Sequence, residues 1–290
     1  MLRSVKKQLA MAGELGSLST EGVTNYPDEQ SAALGLLGEV TSLLVNQIVD
    51  FVVIGGWLPF LFNSRPIPHP GTFDVDILLN EATSRSSFEQ AAQLLLRSGY
   101  LRAPKNQFQL HRILCVRGER LVYHVDFLHR RYADDTDDLI RNWGRVQSIA
   151  GPGTDIIFTA AERMLRSVDV VLPDGKNRCV TASFCTEVGF LSAKGRSAQV
   201  PKRTRDAFDV FLVIRQSQDY DRLVARSKEL MTDPVFKLSL INLRDGFRDG
   251  RLLPQAAAHL REQAPGLADP EETVRTAIDK FFSDASFDLV

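Results

Sequence analysis

The sequence predicts an α/β (α+β) protein, with a mixed sheet in its first half and a mainly helical second half. Two observations predict it. Short apolar or alternating runs, VDFVVI, TFDVDILLN, FQLHRILCVRG and ERLVYHVDFLH, fall between residues 49 and 129, with amphipathic stretches of helical period around them. From about residue 155 the pattern turns mostly helical, with one short strand near 177–183. The chain has 290 residues, 44% apolar and 24% charged, with 35 Lys and Arg against 36 Asp and Glu and a net charge of −1. That composition excludes a disordered chain, a fibre, a coiled-coil rod and a wholly basic nucleic-acid coat.

The elements follow in order. Residues 1–26 are mixed and polar and are expected to form an N-terminal arm. Apolar residues recur with helical period from Asp28 to Asn46, and Asp28 suits the cap. VDFVVIGG is a buried strand ended by a tight turn at Gly55–Gly56, and WLPFLFN a short helix. SRPIPHPG is a loop. TFDVDILLN is a strand with Phe73, Val75 and Ile77 on one face and Asp74, Asp76 and Leu78 on the other. Residues 84–98 form an amphipathic helix stopped by Gly99, and the next two strands form a hairpin turning at Gly118–Glu119.

The acidic, then Gly/Pro-rich stretch 132–153 marks a boundary, with the acidic run Asp134–Asp138 as a solvated loop. The expected domains are 27–150 and 151–290, the second carrying Lys194 and Asp209. Its helices are expected at about 155–167, 184–198, 201–217 and 219–231, with more towards the C-terminus. Cys115, Cys179 and Cys185 are odd in number and lack paired spacing, against both a disulfide framework and a zinc site. They suit buried apolar positions. The most apolar stretch, IVDFVVIGGWLPFLF, is broken by Asp50, two glycines and Pro59, and the N-terminus lacks a continuous apolar segment. A cytoplasmic protein with no membrane partner is expected.

The chemistry gathers on three aspartates. Asp74 and Asp76 share one strand face, and Asp126 lies inside the apolar run HVDFL. If the two strands are neighbours, three carboxylates converge and need a cation, and an all-oxygen donor set favours Mg²⁺ or Mn²⁺. The Gly55–Gly56 turn can turn backbone N–H groups towards a phosphate. A lone Asp-x-Asp or Gly-Gly has a structural reading as well, as a strand end or a turn. His124 would share the face of Asp126, and His69 precedes the Asp pair in a loop open to a substrate.

VIGGW, GTFDVDIL and HVDFL in that order resemble the polymerase-β-like nucleotidyltransferase superfamily. FLSAKGRSAQVPKRTRDAFDVFLV is similar to the C-terminal motifs of AbiEii/AbiGii-type (MenT-like) nucleotidyltransferase toxins. The resemblance covers roughly residues 50–215. It departs from the family in a longer loop after Gly56 and in Gly56 itself, where a Ser is common.

The resemblance implies a metal-dependent enzyme that moves NMP from an NTP such as ATP to an acceptor hydroxyl. Asp74, Asp76 and Asp126 would be catalytic metal ligands. Gly55, Gly56, Thr72, Lys194, Arg196 and Asp206 would bind the nucleotide, and Lys194 and Asp209 would be catalytic. It implies an RNA acceptor, in particular tRNA, and a toxin with a cognate antitoxin or a phage-defence role. A small-molecule or protein hydroxyl, or a non-catalytic nucleotide-binding relative, remain alternatives. Physically, Lys194 can meet a triphosphate as a point charge and Arg196 as a bidentate donor, and Lys194 also reads as a surface lysine. Lys202–Asp206 and Arg205–Asp209 also read as i,i+4 ion pairs. Lys194, Arg196, Lys202, Arg203 and Arg205 form the one basic cluster suited to RNA or triphosphate.

Overall fold

A computed structural model describes residues 24–80, 85–130, 139–198, 200 and 203–286. Its strands are β1 (Asn25–Tyr26), β2 (Phe51–Ile54), β3 (Asp74–Leu79), β4 (Leu101–Arg102), β5 (Gln109–Val116), β6 (Glu119–Arg130), β7 (Ile140–Trp143), β8 (Val146–Gly151), β9 (Arg163–Val171) and β10 (Asn177–Cys185). Its helices are α1 (Glu29–Asn46), α2 (Trp57–Phe62), α3 (Arg85–Arg97), α4 (Asp155–Thr159), α5 (Glu187–Ser197), α6 (Arg205–Arg215), α7 (Tyr220–Leu230), α8 (Pro234–Arg248), α9 (Leu253–Gln263) and α10 (Pro270–Asp284).

One mixed sheet runs β1–β5–β6–β3–β2–β10–β9, with β4 on β5 and the β7–β8 hairpin on β6. Helices cover both faces. Val75, Ile77 and Leu79 of β3 pack with residues of α1 and α3, while Leu78 packs with residues of α5, α6, α8, α9 and α10. The alternation predicted for β3 therefore holds, and it aims Asp74 and Asp76 at the side of the C-terminal helices. α6 is buried all round, from Asp206 to Ile214, because neighbouring helices surround it.

Local chemistry explains the element ends. Asp28 caps α1, accepting from Ser31 N at 2.7 Å. The β5–β6 turn is Arg117–Gly118, one residue earlier than expected, and both residues have positive φ (51° and 82°). Tyr26 is buried and β1 pairs with β5, so the last residues of the expected arm belong to the sheet.

The stretch expected as a boundary supplies β7 and β8 instead, with β8 continuing along β6 where β5 stops. The helix expected over 155–167 ends at Thr159. Ala161 takes a positive φ of 55°, and Arg163 begins β9, which zips to β10 along nine paired residues. Cross-strand pairing overrides local helical preference here. Strands on both sides of residue 150 thus share one sheet. Of the cysteines, Cys185 is buried, its thiol pushed up to about 12 by burial, Cys115 is half-buried and Cys179 exposed. The acidic run Asp134–Asp138, Pro201 and Lys202 lie outside the described residues. Among the described residues no helix is long and apolar enough to cross a membrane.

α5 and α8 cross in close contact at Gly195, where a Cβ would stand 2.2 Å from the Ser239 backbone oxygen. Backbone cannot swing aside as a side chain can. Gly195→Ala is expected to destabilise the protein by about 1–3 kcal/mol through overpacking. Denaturant unfolding checks this, and an unchanged midpoint would contradict the packing.

Candidate active site

β3 and β6 run parallel in a register that sets Asp76 beside Asp126, with Asp74 beside His124. The two strands are neighbours, so the three predicted carboxylates converge on one face. β2 pairs with β3 so that Ile54 faces Asp76, which delivers the Gly55–Gly56 turn to the same spot. Gly55 has a φ of 75°, and a Cβ there would lie 2.1 Å from Asp76 Oδ2. Only glycine lets this turn close over that carboxylate. Trp57 Nε1 donates to Asp74 O at 2.9 Å and pins the start of β3 to α2.

Burial and the charges of Asp126 and Asp74 push the Asp76 carboxyl up to about 7, against the opposing fields of Lys194 and Arg203. Asp126 is pushed up to about 6 by burial and by Asp74, despite the hydrogen bond from Gln109 and the field of Arg203. Such a set of hard oxygens, crowded and short of compensating charge, fits a divalent cation. Among the described residues no group of three or more His, Cys, Asp or Glu side chains, these three aspartates included, is placed to hold a metal ion as it stands.

Gln109 was missed in the sequence. Its Nε2 donates to Asp126 Oδ1 at 2.6 Å, and its Oε1 contacts His111 Nε2 at 3.0 Å. Burial and His124 push the His111 imidazole down to about 4, so it is neutral. The Asp126 carboxylate accepts from the Gln109 N–H₂, which turns Oε1 to His111 and makes its Nε2–H the donor. Counting back from the hairpin turn places Gln109 opposite Asp126, which is the signal that could have found it.

The basic segment is arranged differently from the expectation. Lys194 is buried, with Nζ 2.5 Å from Asp206 Oδ1 and 3.1 Å from Asp209 Oδ2. Burial would lower its pKa, and the two carboxylates outweigh that and raise it. Asp209 is fully buried. Burial works to raise its pKa, and the Lys194 ammonium and the hydrogen bond from His69 hold it well below the usual carboxylate range. His69 Nε2 lies 3.0 Å from Asp209 Oδ1 and its Nδ1 accepts from Gly71 N at 2.9 Å, so Nε2 carries the proton. His69 therefore faces inward, not towards a substrate. Ser197 Oγ donates to Asp206 Oδ2 at 2.7 Å.

Arg205 faces the glycine turn. Its Nη1 donates to Gly71 O at 2.9 Å, and Nη2 would be 3.4 Å from a Cβ on Gly56, beside the Thr72 hydroxyl at 3.2 Å. The structure thus brings together Gly55, Gly56, Thr72, Arg205, Asp74, Asp76 and Asp126. Lys194, Asp206 and Asp209 form the buried network behind Arg205. Arg196 is exposed, its stem against Gly153 rather than the glycine turn.

No known family model matches the chain, and no curated protein does. The fold is similar to that of an antigenic nucleotidyltransferase-like protein from Paracoccidioides brasiliensis, at 13% identity over 74% of this chain and 93% of that one, with a TM-score of 0.41. It is similar to JHP933 from Helicobacter pylori, at 10% identity over 90% and 95% of the two chains, with a TM-score of 0.41. It is also similar to a STING-associated CdnE c-di-GMP synthase from Capnocytophaga granulosa, at 10% identity over 99% and 92%, with a TM-score of 0.28.

Removing Lys194 strands two carboxylates in the interior. Lys194→Met is expected to cost about 3–5 kcal/mol of stability, the scale of breaking a buried ion pair. Adding Asp209→Asn should recover part of that loss in a double-mutant cycle. A Lys194→Met protein as stable as the parent in urea would contradict the network.

Proposed function

We propose that this protein is a divalent-cation-dependent nucleotidyltransferase, moving NMP from an NTP to an acceptor hydroxyl with release of pyrophosphate. The observation that carries the reading is the register of β3 against β6, which sets Asp76 and Asp126 side by side beneath the Gly55–Gly56 turn. Mg²⁺ or Mn²⁺ held by Asp74, Asp76 and Asp126 would supply charge stabilisation to the transferring phosphoryl group and lower the pKa of the attacking hydroxyl. The protein's own groups do the rest. Asp126, held by the hydrogen bond from Gln109, would face the acceptor hydroxyl. The glycine turn offers backbone N–H groups to the phosphates, with the Thr72 hydroxyl and the Arg205 guanidinium beside it.

Lys194 serves this site through Asp206 and Asp209, which fix the first turns of α6 and thereby Arg205. The exposed Arg196 can meet the outer phosphate or the acceptor. We assign the acceptor as RNA, with a tRNA end as the leading candidate, and the protein as a toxin with a cognate antitoxin. The support is the resemblance of its motifs to the AbiEii/AbiGii-type toxins, together with the positive field that Arg203 adds at Asp76 and Asp126.

The protein, Mg²⁺, each α-labelled NTP and total RNA together test this. RNA should carry the label. Asp76→Asn should lower transfer by at least about 10²–10³-fold, the scale seen when one stabilising group is removed. Arg205→Ala should weaken NTP binding by about 1.5–3 kcal/mol, as for a lost hydrogen bond to a charged group. Undiminished transfer by a folded Asp76→Asn protein would refute the assignment. Label on a small molecule or a protein would overturn the RNA acceptor alone.

A further inference from the structure

A cavity of about 420 Å³ lies against the Leu58 and Phe62 face of α2. None of the carboxylates Asp74, Asp76 and Asp126 lines it, and neither do the Gly55–Gly56 turn, Thr72 or Arg205. Its walls come from the C-terminal end of α2, the start of β9, the start of α5 and the first turns of α7. The size suits a small organic ligand.

Two features of its lining define what fits. Arg163 and Arg226 are engaged by Asp50 and Glu162, each at 2.6 Å. Arg166 and Arg222 are different. Arg166 donates only to the Leu165 carbonyl, and among the described residues the Arg222 guanidinium has no hydrogen bond or ion pair. Two uncommitted guanidinium groups at one cavity suit a phosphate and can meet its oxygens bidentately. The second feature is flat and apolar. The Arg166 guanidinium carbon lies 5.9 Å from the Phe62 ring centroid, and Leu58, Met164 and Leu223 complete the wall. A ring can stack in such a place.

A phosphate and a flat ring together describe a nucleotide. We propose that this cavity binds one nucleoside monophosphate unit, separate from the nucleotide on which the carboxylate site acts. The unit is either a free nucleotide or one residue of a polynucleotide strand. The assignment stands on the cavity's own lining and does not depend on the transfer reaction.

Calorimetric titration in EDTA tests it, with the four nucleoside monophosphates, inorganic phosphate and a five-nucleotide RNA as probes. Arg166 and Arg222 are exposed, so Arg166→Glu/Arg222→Glu should fold, which its thermal melt confirms. The double variant should lose at least tenfold in affinity for the preferred monophosphate, while Asp76→Asn binds it as the parent does. Inorganic phosphate should bind at least tenfold more weakly than that monophosphate. Equal affinity in the double variant, loss of binding in Asp76→Asn, or inorganic phosphate binding as well as the monophosphate would each overturn the proposal. If the RNA binds more tightly than the monophosphate and depends on Arg222, the unit belongs to a strand. If it binds more weakly, the unit is a free nucleotide, and the cavity is a mononucleotide site.

Discussion

Two carboxylates side by side on adjacent parallel strands repel each other, and much of the surrounding structure is arranged around that repulsion. Asp76 and Asp126 occupy paired positions of β3 and β6, with Asp74 one pleat repeat away. Asp76 and Asp126 are half-buried and Asp74 is exposed, so water screens the pair only in part. What opposes the repulsion is indirect: the fields of Lys194 and Arg203, and one hydrogen bond from Gln109 to Asp126. The glycine turn closes over Asp76 so tightly that no side chain fits. An arrangement this poor in compensating charge costs stability unless a cation completes it, which is why it reads as a site and not as a structural core.

Behind it sits a second buried polar cluster with the opposite character. Lys194, Asp206, Asp209, His69 and Ser197 satisfy one another through close hydrogen bonds. The cluster joins three segments distant in sequence: the loop before β3, the end of α5 and the start of α6. Through His69 and Gly71 it reaches the residues flanking Thr72, and through Asp209 it reaches Arg205. The helical part of the chain thereby sets the position of the cation nearest the glycine turn. Lys194 acts here as the centre of an ion cluster, not as a free charge facing solvent.

Much of this was legible in the residues. The alternation in TFDVDILLN assigned Asp74 and Asp76 to one face, and the structure packs the two faces of β3 accordingly. Asp28 announced the start of α1, and the Gly pair announced the turn. What was hidden depended on long-range pairing. β9 is an edge strand with mostly exposed residues, so its apolar signal is weak, and only its partner β10 makes it a strand. IRNW and VQSIAG are too short to stand out, and β8 owes its place to the edge of β6 left open beyond β5. A wheel drawn for α6 separates an apolar side from a polar wedge, but cannot show that other helices bury that wedge around Lys194. His69 looked like a loop residue open to a substrate because nothing local announces a partner 140 positions away.

The central claim is that the paired carboxylates are poised for a divalent cation, and cation binding measured together with proton release tests it most directly. Both carboxyls are raised above their unfolded values, so between about pH 4 and pH 7 the folded protein holds protons that the unfolded chain has lost. Without a cation, stability falls as pH rises through that window. At pH 6, calorimetric titration with Mn²⁺ in buffers of different ionisation enthalpy should show protons leaving as the ion binds, because carboxylate ligands must be deprotonated. Asp76→Asn should abolish most of both signals. Mn²⁺ that fails to bind, or that binds without releasing protons and equally well to Asp76→Asn, would contradict the account.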